Sequence, residues 1–185
     1  ANTDFSGIDY DFRVFDSPAD LHQQIIELNR LNNRSRVVAG YCWDWRGKKS
    51  PAVKDVQIDA FGYAARWNLD TDGKLWIVTP GSEADVGCIH TCQGLELDYV
   101  GVIIGPDLVV RDGRVLTDAA RRSKQDQSVR GYKGWLKRDP AAARAAADRV
   151  IKNTYRTLMT RGQKGCFVFS TDEETNVWLK TRTYR

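Results

Sequence analysis

The alternation of apolar and polar positions divides the chain into short strands and longer helices. Residues 12–15 form a short apolar run that predicts a strand. Ser17-Pro18 then opens a helix: Ser17 is the N-cap, Pro18 takes the first helical position, and Asp20 suits the positive end of the helix dipole. Leu21, Ile25, Leu28 and Leu31 follow at helical spacing, and Asn32-Asn33 ends the helix. Residues 36–41 are apolar and β-branched, and predict a strand. Residues 42–62 carry Trp43, Trp45, Lys48-Lys49 and Pro51, and read as a long functional loop or insertion. Strands are expected at 75–78, after an Asp72-Gly73 turn, and at 86–90, before a polar turn over 91–96. A further strand at 99–104 is apolar throughout, as a strand buried on both faces must be. Asp112-Gly113 marks a hairpin. A long helix runs from the Asp139 cap to about Arg161 and stops at Gly162. A strand at 165–169 and a short helix after Thr171-Asp172 complete the pattern. Strands alternating with helices predict an α/β fold with a mainly parallel sheet.

Composition narrows the class. At 185 residues, 42% hydrophobic and 28% charged, the chain is long and apolar enough for one domain with a real core. No apolar run approaches the length of a membrane span, and the N-terminus has no secretory pattern. The expectation is a cytoplasmic protein with reduced cysteines and no membrane partner. Cys88-x-His90-x-Cys92 lacks the second ligand pair of a structural zinc site, so no metal is expected. The net charge of +4 permits a polyanionic partner without requiring one. Charge is concentrated between 121 and 138, where seven Lys and Arg residues face Asp126 alone. That run can bind phosphates or be merely solvated. Trp43 and Trp45 can stack bases or belong to the core.

Two segments carry chemistry. In the first, a strand end feeds His90-Thr91, then Gln93-Gly94-Leu95-Glu96, then an apolar strand. Gly94 permits a tight turn close to a ligand, Glu96 can accept two hydroxyl hydrogen bonds as from a ribose, and His90 and Thr91 offer donors at a strand's carboxyl end. In the second, a helix delivers Thr160-Arg161 at its end. Taken alone, Arg161 reads as a solvated arginine favoured by the helix dipole. An arginine so placed can also stabilise phosphoryl charge in an NTPase.

Together these segments are familiar. His90-Thr91-x-Gln93-Gly94-x-Glu96-x-Asp98 resembles motif V of superfamily 1 helicases, and Tyr155-x₄-Thr160-Arg161 resembles motif VI. The closer resemblance, over roughly residues 10–172, is to the C-terminal, second RecA-like half of the Schlafen group 3-like DNA/RNA helicase domain. It rests on Val38-Ala-Gly-Tyr-Cys-Trp-Asp-Trp45 and on stretches 89–106 and 152–165. The resemblance implies a RecA-like domain with helices on both faces of the sheet. It implies Arg161 as arginine finger, Gly94, Glu96 and Arg161 at the nucleotide, His90 and Thr91 on the nucleic-acid backbone, and Gln93 and Thr160 coupling the two. The partners implied are single-stranded nucleic acid and an N-terminal motor domain that binds most of the ATP and Mg²⁺. No G-x-x-x-x-G-K-[ST] occurs in the sequence. The chain is therefore expected to be one motor domain of a longer two-motor protein, inactive as an ATPase alone. The rival reading is a non-enzymatic nucleic-acid-binding or scaffolding module on a degenerate motor fold.

Overall fold

The computed structural model describes residues 10–183 except 70, 72, 93 and 95. Strand β1 (Asp11–Val14) leads to helix α1 (Pro18–Asn32) and strand β2 (Ser35–Ala39). Three short strands follow: β3 (Val56–Ile58), β4 (Tyr63–Trp67) and β5 (Asp85–Gly87). Then come β6 (Leu97–Ile104), the hairpin β7 (Leu108–Arg111) and β8 (Arg114–Thr117), helices α2 (Tyr132–Arg138) and α3 (Pro140–Met159), β9 (Gly162–Ser170) and α4 (Glu173–Thr183). Seven strands form one sheet in the order β1-β9-β6-β2-β5-β4-β3. All neighbours are parallel except β3, which pairs antiparallel with β4 at the edge. The fold is α/β and RecA-like.

Strand β6 shows why the sheet lies in the middle. Val100, Val102 and Ile104 pack with Ala147, Ile151, Tyr155 and Leu158 of α3 on one face. Ile103 packs with Leu21 and Ile25 of α1, and with Phe167 and Phe169 of β9, on the other. A strand with helices on both faces has no solvent side, so its residues are apolar throughout. Gly101 belongs to the α1 face, where a Cβ would lie 2.6 Å from Leu21 Cδ2. The helix sits that close because the strand offers it no side chain there.

Local chemistry sets the boundaries. Ser17 Oγ accepts from the backbone of Ala19 and Asp20, and Asn33 closes α1 in the left-handed region with φ 57°. Asp139 caps α3 by accepting from Ala142 N–H, with Pro140 in its first turn. Asp112 and Gly113 both have positive φ, as the two-residue β7–β8 hairpin requires.

Several expectations change. Residues 75–78 are not a strand: they lie in a 3₁₀ segment, Gly73–Val78, in which Trp76 is buried while Leu75 and Val78 face solvent. The apolar run Leu-Trp-Ile-Val carries no periodicity that separates the two conformations. The expected 86–90 strand ends at Gly87, because the Thr91 and Cys92 amides turn back to the Cys88 carbonyl. The 42–62 segment holds β3 and a 3₁₀ turn before β4, whose alternation at Tyr63, Ala65 and Trp67 is hidden by two alanines. The end of the basic run folds as α2. Among the described residues, no helix is long and apolar enough to cross a membrane.

Candidate functional site

Each of the two chemical segments has one end at the carboxyl edge of the sheet and the other at the amino edge. At the carboxyl edge, the chain leaving β5 turns through Cys88–Thr91. His90 is exposed, its ring edge-on to Tyr41 at 6.4 Å between centroids. Tyr41 in turn stacks on Trp67 at 5.7 Å, and Trp43 meets Trp67 edge-on at 6.3 Å. Burial of Tyr41 pushes its hydroxyl up to about 12. The Thr91 hydroxyl donates to Asn68 Oδ1 at 2.8 Å and lies 3.3 Å from Cys88 Sγ. Asn68 follows β4, a strand the sequence concealed, so its place beside Thr91 had no sequence signal.

Strand β6 begins at Leu97, at the amino edge of the sheet. Burial of Cys92 pushes its thiol up against the opposing charge of Arg161. Gln93, expected to couple the two ends, lies outside the described residues. Gly94 has φ 81° with open space where a Cβ would stand, the left-handed turn that favours glycine. Glu96 is exposed. The next residue, Leu97, pairs with Gly162 across the β6–β9 ladder, and its amide donates to the Arg161 carbonyl at 2.9 Å. Glu96 and Arg161 thus each immediately precede the first paired residue of two adjacent strands.

Arg161 follows the end of α3. Its Nε donates to the Thr157 carbonyl at 3.1 Å, which holds the side chain along the last turn. Thr160 Oγ1 donates to the Arg156 carbonyl at 2.9 Å. Beneath this edge, Asp98 accepts from Lys164 Nζ at 2.6 Å and Asn32 Nδ2 at 2.7 Å, with Arg34 Nε 3.3 Å away. The Lys164 and Asn32 hydrogen bonds hold its carboxyl below the usual range. Asp98 ties α1, β2 and β9 to the start of β6.

Tyr155, first residue of the second motif, sits at the opposite end, fully packed. Its hydroxyl donates to Asp107 and accepts from the Gly105 amide at 2.9 Å. Arg122 completes this buried group: Nη1 donates to Asp107 Oδ2 at 2.7 Å, and Nε donates to Asp126. The basic run is therefore not uniformly solvated. Arg122 belongs to the interior, while Arg121, Lys124, Arg130 and Lys133 remain exposed. Trp43 is half-buried, its Nε1 donating to the Gln57 carbonyl at 2.8 Å, and Trp45 packs against the core beneath Lys48. Among the described residues, no three His, Cys, Asp or Glu side chains converge as a metal site would require.

The sheet that carries both segments is that of a RecA-like α/β domain. Over residues 1–172 the sequence matches the Schlafen group 3 DNA/RNA helicase domain, and the chain belongs to that family. It is 26% identical over 171 residues to the uncharacterized protein YPL245W of Saccharomyces cerevisiae, an alignment covering 89% of this chain and 35% of that protein. The chain thus spans about a third of that relative's length. No solved structure matches it.

Proposed function

We propose that this chain is the second motor domain of an ATP-dependent nucleic-acid helicase or translocase. It supplies an arginine finger and part of the strand's path to a site whose phosphate-binding loop belongs to an N-terminal motor domain. One observation carries the reading. The segment with His90 and Thr91 at the carboxyl edge also carries Glu96, and the next residue, Leu97, donates its amide to the carbonyl of the residue bearing the guanidinium.

The groups at the amino edge suit a nucleotide. Glu96 offers carboxylate oxygens to ribose hydroxyls, Gly94 leaves the backbone approachable, and Arg161 brings a permanent cation with a planar fork of donors. ATP with Mg²⁺ is the substrate, held mainly by the partner motor domain. Arg161 turns from the Thr157 carbonyl toward the γ-phosphoryl group, and its charge counts most as negative charge develops on the departing group. At the carboxyl edge, His90 contacts a single strand, while Thr91, tied to Asn68, orients the turn that presents it. Gln93 and Thr160 couple the two ends.

The test is nucleic-acid-stimulated ATPase of the polypeptide that joins both motor domains. Arg161→Ala should lower turnover by about 10³–10⁵-fold with little change in ATP affinity or melting temperature. Arg161→Lys should fail as well, since an ammonium cannot meet phosphate oxygens in pairs. Glu96→Ala should raise the Michaelis constant for ATP by roughly ten- to a hundred-fold while largely sparing turnover. Retention of more than about a tenth of wild-type turnover by Arg161→Ala, against the loss expected of a finger, removes Arg161 from the role.

A further inference from the structure

A groove of about 1310 Å³ opens at the carboxyl edge, between the 42–59 segment and the 119–136 segment. Its solvent-exposed cations are Arg46, Lys54, Arg121, Lys124, Arg130 and Lys133. Of these, only Arg121 has an ion pair among the described residues, a loose one to Asp118 at 3.8 Å. The groove also contains Asp44, Asp55 and Asp59, with Asp126 neutralised by Arg122. Two of those three carboxylates are engaged internally: Asp44 accepts from Ser123 Oγ at 2.7 Å, and Asp55 accepts from the Gly47 amide at 2.9 Å. The groove is thus lined by cations in excess, most of them unneutralised.

Aromatic faces accompany the charge. Trp43 and Tyr132 line the groove. At its far end a second hollow of about 450 Å³ shares Arg130 and Gly131 with the first, and adds Trp135 and Arg138. Trp135 is 41% exposed, an unusual setting for an indole on a seven-residue helix. At the near end Trp43 packs on the buried rings of Trp67 and Tyr41, and His90 is exposed on the other side of Tyr41.

We infer that this groove is a second binding track for single-stranded nucleic acid, built by the 42–59 and 119–136 segments at the same edge of the sheet as His90. The inference rests on the motor reading for the role of His90, but on the groove's own charge and aromatic surface for its ligand. Cations spaced along a groove match a phosphate backbone. Exposed indole faces among them stack on bases, and only unpaired bases present a face. A duplex keeps its bases stacked on one another, and an acidic peptide has none to offer.

The rigid floor fits this role. Arg122 is locked between Asp107 and Asp126, and the Ser123 amide donates to the Tyr41 carbonyl at 2.9 Å. The Trp45 amide donates to Gln125 Oε1 at 2.9 Å. These bonds join the two walls to each other and to the end of β2, so the exposed cations stand on a preorganised frame.

The experiment is fluorescence anisotropy of labelled oligo(dT) and oligo(U), about 16 nucleotides long, with the 185-residue chain. Salt is varied over roughly 50–200 mM. Lys124→Ala/Arg130→Ala should weaken binding roughly 20-fold at about 0.1 M salt and lower the log–log salt slope by about 1.4, one single-strand phosphate contact per cation. Trp135→Ala should weaken it by about ten-fold with the slope unchanged, and Trp135→Phe should restore it, because stacking needs a ring and not a charge. All three substituted positions are exposed, and a thermal melt checks that the fold persists. If His90→Ala weakens binding while the groove variants leave affinity and slope intact, the groove inference is wrong and the motor reading stands. If the groove variants behave as expected but Arg161→Ala spares the ATPase, the motor reading falls and the groove remains. Equal competition by duplex DNA or by polyglutamate, or no oligonucleotide binding at all, overturns the inference.

Discussion

Tyr155 shows how far one residue's role depends on what packs around it. In sequence it opens the helix motif that ends in Thr160-Arg161, which invites a functional reading. In the fold its hydroxyl bridges Asp107 and the Gly105 amide, and a Cβ on Gly40 would lie 2.0 Å from that oxygen. Burial, with Cys42 and Asp107 adding to it, holds its hydroxyl proton far more tightly than usual. The phenol is a clamp between strand ends. Tyr155→Phe leaves a buried acceptor and a buried donor each short of a partner, at about 1–3 kcal/mol apiece. Urea unfolding should therefore show a loss of at least about 2 kcal/mol. Tyr10→Phe is the comparison: its hydroxyl donates once, to the Gly162 carbonyl at 3.1 Å, in a half-buried setting. Its loss should stay near 1 kcal/mol or below. Equal losses for the two would show that Tyr155 contributes only its ring.

Among elements, β6 and α1 form the junction on which both edges depend. β6 runs from the Glu96 turn at one edge to Gly105 at the other, and α1 lies against its middle at Gly101. A methyl at that position meets Leu21 Cδ2 at 2.6 Å and Ile25 Cγ1 at 2.9 Å, both fully buried. The clash cannot be relieved by an exposed side chain swinging away, so the helix must shift. Gly101→Ala should destabilise by about 1–3 kcal/mol, the usual cost of overpacking a dense core. Calorimetry is the check: if the contact with Leu21 is the cause, Gly101→Ala and Leu21→Ala together should cost less than the sum of their separate losses. Strict additivity would place the strain elsewhere in the strand.

For the whole molecule, the proposed function divides labour between edges. The nucleotide-facing candidates Gly94, Glu96 and Arg161 gather where β6 and β9 begin, and the strand-facing candidates gather where β2, β4 and β5 end. Half of a catalytic site should be silent by itself. The purified chain should hydrolyse no ATP above background, with or without single-stranded nucleic acid, because it offers no Lys and no Mg²⁺-holding hydroxyl in a phosphate-binding loop. Turnover that co-purifies with the chain and disappears in Arg161→Ala would refute this division.

Helices α1, α3 and α4, the hairpin and the all-apolar strand at 99–104 were legible in the chain because each is specified locally. Ser17 and Asp139 cap through their own side chains, Asp112-Gly113 supplies the positive φ a tight hairpin needs, and helical spacing places Leu21 and Ile25 on the buried stripe of α1. The family resemblance was legible for a similar reason, since its signature lies in contiguous stretches around His90 and Arg161. Tertiary structure alone decided the rest. The run 75–78 became 3₁₀ and β4 became a strand because short segments lack the length to reveal a period. The basic run divided, Arg122 turning inward and Lys124 and Arg130 outward, because charge in a sequence does not say where its counter-charges lie. The placing of Asp107, 15 residues before Arg122 in the chain, in reach of its guanidinium settled that. The juxtaposition of Glu96 with Arg161 came from the β6–β9 pairing, and a contact across more than sixty residues exists only once the sheet has closed.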